Sequence, residues 1–349
     1  MYTVPKPPAA SASQPPEAGS TTSAPAESKP MAMIPKSRLR TKESFFADAA
    51  FRTVVAGCAL ALLVSVGLIF FELVSQSHLS RSKFGFQFLI QSIWDPVAED
   101  FGALPFIYGT LVSSFVALLI AVPLSLGTAL FLTEICPRQI RAFLSLLVEL
   151  LAAIPSVIYG LWGIFVLAPF LRFYVQPFLA KYLGWTGLFT GPKYGWGMLA
   201  AGVILAIMIL PIISSITREV IRAVPRQQRE AALALGATRW EMLRMSVLRN
   251  ARTGILGAII LGLGRAFGET MAVTMVIGNR PQIVKSLFAP GYTLASVIAN
   301  EFTEAVGDMH LSALTEAALI LFAITLVVNA IAGLLVWSIT RGAPSRTLA

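Results

Sequence analysis

The stretch that decides the fold is Val54–Val74, VVAGCALALLVSVGLIFFELV, in which Glu72 is the sole charged residue. As a helix it covers about 30 Å, the thickness of a bilayer's hydrocarbon core. It is too long for the apolar region of a cleaved leader, and no small-residue cleavage site follows it. It therefore reads as a spanning helix that also acts as an uncleaved signal. Five further runs have the same character: Phe106–Leu132, Ala142–Pro169, Gly197–Thr217, Gly254–Ile277 and Leu314–Thr340. Composition agrees, since 56% of the 349 residues are hydrophobic and 13% are charged. A soluble domain carries about a quarter charged residues. So little charge leaves much of the surface to lipid, and the expected fold is an all-α membrane protein with six transmembrane helices.

The flanks are different in kind. Residues 1–35 hold eight of the 21 prolines, with much Ala and Ser and no apolar periodicity. Such a segment buries too little to offset its ordering entropy and is expected to be disordered, as a tether, a partner motif or neither. A basic and aromatic stretch follows (Lys36, Arg38, Arg40, Lys42, Phe45, Phe46), suited to lying along the membrane surface. The domain plan is a tail over 1–52, a six-span membrane domain over 53–342 and a short tail over 343–349.

Charge gives the orientation. The N-terminal tail, the 133–143 loop, the 218–253 loop and the C-terminal tail carry 19 of the 27 Lys+Arg; loops 75–105, 170–196 and 278–312 carry 7. The remaining one, Arg265, lies inside a span. The positive-inside rule then puts both termini in the cytoplasm. It also accounts for the net charge of +9 without nucleic acid. Cys58 and Cys136 form neither a disulfide framework nor a zinc site. An outer group of Glu301, Glu304, Asp308 and His310 lacks the converging ligands of a metal site and reads as a solvated face or a partner surface.

Several spans contain helix breakers: Pro123, Pro155 with Gly160 and Gly163, and Pro211. In lipid, backbone groups freed by a break must find partners inside the protein, so broken helices suit a pathway. The plainer reading of any single proline is a static kink. In the fifth span, Gly264 and Gly268 make a small-xxx-small pair that permits close helix approach.

The basic loop between the fourth and fifth spans has internal order. Pro225 can begin a helix, and Glu230-Ala231-Ala232-Leu233-Ala234-Leu235 favours one. Gly236 can end it in the left-handed conformation, and Thr238 with Glu241 has capping-box spacing. The loop thus reads as helix, sharp glycine turn, helix, an elbow able to dock in a groove of a soluble partner. An ordinary basic inner loop is the alternative.

Two charges lie within the fifth span, in Leu261-Gly-Leu-Gly-Arg265-Ala-Phe-Gly-Glu269-Thr-Met-Ala-Val273. Arg265 and Glu269 are four apart, on one face of an uninterrupted helix, where they can pair. An unpaired charge at the bilayer centre costs at least about 2.5–3.5 kcal/mol, so both are expected to face the bundle interior or water. Arginine is a permanently charged donor suited to oxyanions, and a carboxylate neighbour would keep it from trapping one. The alternative is a structural ion pair. Glu149 and Glu316 are weaker candidates, expected to be interfacial or capping carboxylates.

The run Glu230-Ala231-Ala232, three residues, Gly236 resembles the EAA loop of ABC-importer permeases. The resemblance departs at Ser246, where the pattern has an apolar residue, and at Arg249, where it has proline. Gly262-Leu-Gly-Arg-Ala-Phe-Gly-Glu-Thr-Met-Ala-Val, Glu149-Leu-Leu-Ala-Ala-Ile-Pro-Ser-Val-Ile-Tyr-Gly-Leu-Trp-Gly, Ala200-Ala-Gly-Val-Ile-Leu-Ala-Ile-Met-Ile-Leu-Pro and Ala299-Asn-Glu-Phe look most like the PstC-type permeases of bacterial phosphate importers, over about residues 50–342. The resemblance implies a type I ABC importer permease (MetI-like) domain in the bacterial inner membrane, forming half of a phosphate pathway. It assigns Arg265 and Glu269 to phosphate passage and Glu230, Ala231, Ala232 and Gly236 to coupling with an ATPase. It implies a PstA-like second permease, a PstB-like ATPase dimer that binds ATP and Mg, and a PstS-like extracytoplasmic phosphate-binding protein.

No Gly-x-x-x-x-Gly-Lys-Ser/Thr loop is present, so the chain is not expected to hydrolyse ATP or to hold a cofactor itself. Rival readings are a permease for another oxyanion or small nutrient, a membrane-embedded enzyme, and a scaffold. The enzyme reading lacks its groups: His78 and His310 fall in outer loops, and Ser156 has no evident base.

Overall fold

The computed structural model describes residues 42–341, with side-chain surroundings over 49–339. The proline-rich segment, Lys36, Arg38, Arg40 and the 343–349 tail lie outside the described residues. Two units part at Ala61. In the first, a helix runs from Lys42, and its side chains from Ala49 onward are exposed. The second, Leu62–Ala349, holds the buried apolar clusters.

Among the described residues, six helices are long and apolar enough to cross a membrane: Ala49–Gln76, Leu104–Ile135, Ser156–Thr186, Met198–Ala223, Arg239–Gly268 and Asp308–Ile339, here spans 1 to 6. Span 4 is central, with 67% of its most apolar window buried against 33% or less elsewhere. Ile204, Leu205, Ile209 and Ile213 pack there against Ala117 and Ala121 of span 2, Tyr159 and Leu167 of span 3, and Ala258 and Ala266 of span 5. Small residues on the neighbours let the branched side chains of span 4 fill the space between backbones. Pro123 and Pro211 sit within continuous helices.

The third apolar run does not cross where expected. Ile154, at φ −69° and ψ 127°, ends the helix Arg138–Ala153 just before Pro155, because the proline ring disfavours helical backbone in the preceding residue. Arg138–Ala153 is a separate helix with no buried residue, and span 3 begins at Ser156. Arg172 and Lys181, expected in a loop, lie on span 3 beside the rings of Phe173 and Tyr182.

The fifth run also differs. Span 5 begins at Arg239, well before Gly254, and stops at Gly268; Glu269 is extended at φ −73° and ψ 123°, and a short helix Met271–Ile277 follows. At 30 residues span 5 measures about 45 Å, longer than the hydrocarbon core is thick. Away from the elbow, a two-residue antiparallel pairing joins Trp94 to Phe101 and Asp95 to Asp100. It packs against Phe106, Tyr292, Leu294 and Leu314.

Candidate functional site

The elbow is built as its residues dictate. Its helix, Arg226–Ala234, starts after Pro225. Gly236 takes φ +85°, its N–H donates to Leu233 O at 3.0 Å, and Ala237 N–H donates to Ala232 O at 3.2 Å. These two bonds are the Schellman pattern that satisfies a helix's last carbonyls. Thr238 Oγ1 accepts from Glu241 N–H at 3.3 Å while Glu241 Oε2 accepts from Thr238 N–H at 2.8 Å, closing the capping box. The following helix is the start of span 5 and runs without a break through Leu248 and Arg249.

One side of the elbow is tied down and the other is free. Arg229 donates through Nη1 to Glu134 Oε1 at 2.6 Å, at the end of span 2, and through Nη2 to Ile221 O at 2.7 Å, on span 4. Asn250 Nδ2 donates to Gln228 Oε1 at 2.6 Å, and Ser246 Oγ donates to Gln228 O at 3.1 Å, which ties the same helix to span 5. Ala232 packs into the cluster of Val224, Met242, Val247 and Ala251. Glu230, Ala231 and Gly236 remain exposed. Short polar contacts thus hold the elbow helix to spans 2, 4 and 5.

The intramembrane charges are arranged differently from expectation. The helix ends between them, so Arg265 and Glu269 do not share a helical face, and no ion pair joins them. Glu269 is half-buried, with Oε1 3.5 Å from Ala272 N. Arg265 is exposed at the surface of the chain, not in the bundle interior. It stands on a stripe with Gly257, Leu261, Gly264 and Gly268, and a Cβ on any of the three glycines would meet nothing within 4 Å. Among the described residues, Gly264 and Gly268 thus approach no other helix closely; the close contacts of span 5 are at Gly254, whose Cβ would lie 2.5 Å from Val220 Cγ1, and at Gly262, whose Cβ would lie 2.7 Å from Ile213 Cδ1. A cation, a glycine floor and a helix end meet on one open face.

The lesser candidates have definite partners or positions. Glu149 Oε1 accepts from Arg218 Nη2 at 2.6 Å, which fastens the helix Arg138–Ala153 to span 4. Glu316 is buried well inside span 6. In the group of Glu301, Glu304, Asp308 and His310, Glu301 Oε2 accepts from Trp94 Nε1 at 2.8 Å and lies 3.1 Å from His310 Nε2, while Phe101 stacks on His310. Nearby, burial holds the Tyr292 phenol above its ordinary range, and its oxygen accepts from Asn300 Nδ2 at 3.0 Å.

Residues 121–341 match the family described as binding-protein-dependent transport system inner membrane component. The chain belongs to that family. Among its relatives is the phosphate transport system permease protein PstC of Mesorhizobium japonicum, 52% identical over 82% of this chain and 88% of that protein. PstC of Haemophilus influenzae is 44% identical over 87% of this chain and 97% of that protein. PstC 2 of Mycobacterium tuberculosis is 40% identical over 81% and 89%. Among solved structures, a bacterial alginate ABC transporter bound to its periplasmic protein aligns over 82% of this chain and 95% of that one, with TM-score 0.55 at 16% identity, a likeness of fold. Family membership agrees with the elbow and the multi-pass bundle.

The helix end at Gly268 was not legible in the sequence, where an isolated glycine in a helical pattern is tolerated and is only a weak stop signal. Sequence reasoning also missed the Arg229–Glu134 and Arg218–Glu149 pairs, for which the sequence carries no signal.

Proposed function

We propose that this chain is the PstC-like permease half of an ATP-driven phosphate importer in a bacterial inner membrane, with both termini and the elbow in the cytoplasm. The identity of 52% to a phosphate permease over 82% of the chain carries the substrate assignment. The open stripe around Arg265 supports the pathway assignment. A helix that ends inside an apolar run is tolerated where it lines a cavity, and interrupted spans mark substrate sites in transporters. The stripe is floored by glycine and lined by a permanent cation, which suits one wall of a conduit whose other wall is a PstA-like permease. Arg265 would attract the anion, and Glu269 would weaken its hold enough for release.

In this reading a PstB-like ATPase dimer, holding ATP and Mg, docks on the exposed side of the elbow around Glu230, Ala231 and Gly236. Closure of that dimer moves the elbow, and the Arg229 and Gln228 contacts carry the motion into spans 2, 4 and 5. A PstS-like binding protein delivers phosphate on the opposite side. The test is uptake by the reconstituted complex, with phosphate competed against sulfate and molybdate. Arg265→Ala should abolish uptake while leaving assembly and ATPase docking intact. Normal uptake by that variant, or uptake indifferent to phosphate, overturns the reading.

A further inference from the structure

The helix Arg138–Ala153 is set between two prolines. Cys136, at ψ 129°, is extended before Pro137, and Ile154, at ψ 127°, is extended before Pro155. A proline disfavours helical backbone in the residue before it, so the helix continues into neither neighbour. No residue of the helix is buried. Two polar contacts hold its C-terminal end. Glu149 Oε1 accepts from Arg218 Nη2 at 2.6 Å, with 53% of the glutamate side chain exposed and 9% of the arginine's. Leu151 O accepts from Tyr159 Oη at 2.7 Å. In an unbroken helix that carbonyl would take the N–H four residues on, which Pro155 lacks.

Both contacts lead to parts already described. Arg218 lies one turn before Ile221, whose carbonyl anchors Arg229 of the elbow. Tyr159 is buried, and the Arg265 guanidinium lies close enough to act on it electrostatically. The elbow, span 4, the helix Arg138–Ala153 and the start of span 3 thus form one chain of contacts that ends beside Arg265. Within the ion pair, the arginine is fixed in the packing of span 4. The carboxylate is half in the open, on a helix with an extended residue at each end, and is the member that can leave. Parting the two strands a buried cation, so the contact closes firmly and opens only under force.

We propose that Glu149 and Arg218 form a latch that couples the elbow to the Arg265 site. A shift of the Ile221 turn, driven through Arg229, parts the pair, and the helix Arg138–Ala153 swings on Cys136–Pro137 and Ile154–Pro155. The swing draws Leu151 O from Tyr159 and frees the start of span 3 beside Arg265. Glu149 and Arg218 are positioning residues and touch no substrate. The inference rests on the permease reading of the elbow and not on which anion passes.

The experiment uses the assembled complex with its ATPase in nanodiscs. Spin labels go on two exposed positions, Phe143→Cys on the helix and Arg222→Cys on span 4, with Cys58 and Cys136 changed to Ser. Pulsed electron paramagnetic resonance reads the distance between them. Without nucleotide one narrow distance is expected, and ATP with vanadate should bring in a second, longer one. Glu149→Gln should show the longer distance without nucleotide. Its uptake per ATP hydrolysed should fall about tenfold, the scale of one lost charge-assisted hydrogen bond, while hydrolysis itself persists. Glu149→Asp, which keeps the charge, should retain the narrow distance and most of the uptake. A merely structural pair would give the same distance with and without nucleotide; that result, or full coupling in Glu149→Gln, overturns the latch. Normal uptake by Arg265→Ala would instead sink the phosphate pathway and leave the distance measurements standing.

Discussion

At the scale of single residues, Gly236 and the Arg229–Glu134 pair govern the elbow. Gly236 sits at φ +85° with open space where a Cβ would be, so a substitution there meets strain and no clash. Left-handed backbone costs an L-residue about 1–2 kcal/mol, more for a β-branched one. Gly236→Val should therefore loosen the turn, and the amides of Gly236 and Ala237 should lose hydrogen-exchange protection. Gly236→Asn should keep most of it, because asparagine tolerates that region. The Arg229–Glu134 contact makes a separate prediction. Both side chains are largely buried, at 21% and 14% exposure. Glu134→Arg or Arg229→Glu alone should lower the melting temperature of the purified chain, by an amount equivalent to about 1–3 kcal/mol. Joining the two changes should restore much of the loss, and a double-mutant cycle with no coupling would show that the pair is idle.

At the scale of elements, the two faces of span 5 differ. Gly262 is pressed against Ile213, whereas Gly264 and Gly268 face open space. Gly262→Leu should drive span 5 off span 4 and destabilise the isolated chain by about 1–3 kcal/mol, the usual scale of overpacking. Gly264→Leu should leave its melting temperature unchanged, yet on the proposed pathway it should obstruct uptake by the assembled complex. Equal melting losses in both variants would contradict an open stripe. Helix ends were unevenly legible in the sequence. Pro155 stops a helix by a local steric rule, although Ala142–Pro169 is apolar enough to read as one crossing. Pro123 and Pro211 look equally disruptive but sit within continuous helices in which the surrounding packing prevails. The distinction between a kink and a break depends on neighbours that the local sequence does not contain.

At the scale of the whole molecule, sidedness is the testable property. With Lys193 in the loop between spans 3 and 4 and Ala237 in the elbow, the two positions should lie on opposite faces of the membrane. In single-cysteine chains, Lys193→Cys should react with an impermeant maleimide added from outside, and Ala237→Cys should react only after lysis. The reverse pattern would invert the proposed orientation. The sequence by itself determined the number of spans, the charge asymmetry and the elbow with its glycine turn and capping box. Each span and the elbow is written within about twenty to thirty consecutive residues, where hydropathy and backbone preference act locally, and the charge asymmetry is a plain sum over the segments between them. Tertiary structure alone decided that Arg229 meets Glu134 across 95 residues, that Arg218 meets Glu149 across 69, and that Arg265 stands on an open face. Those pairings depend on which helices pack together and at what rotation, a non-local outcome that no short window of residues encodes.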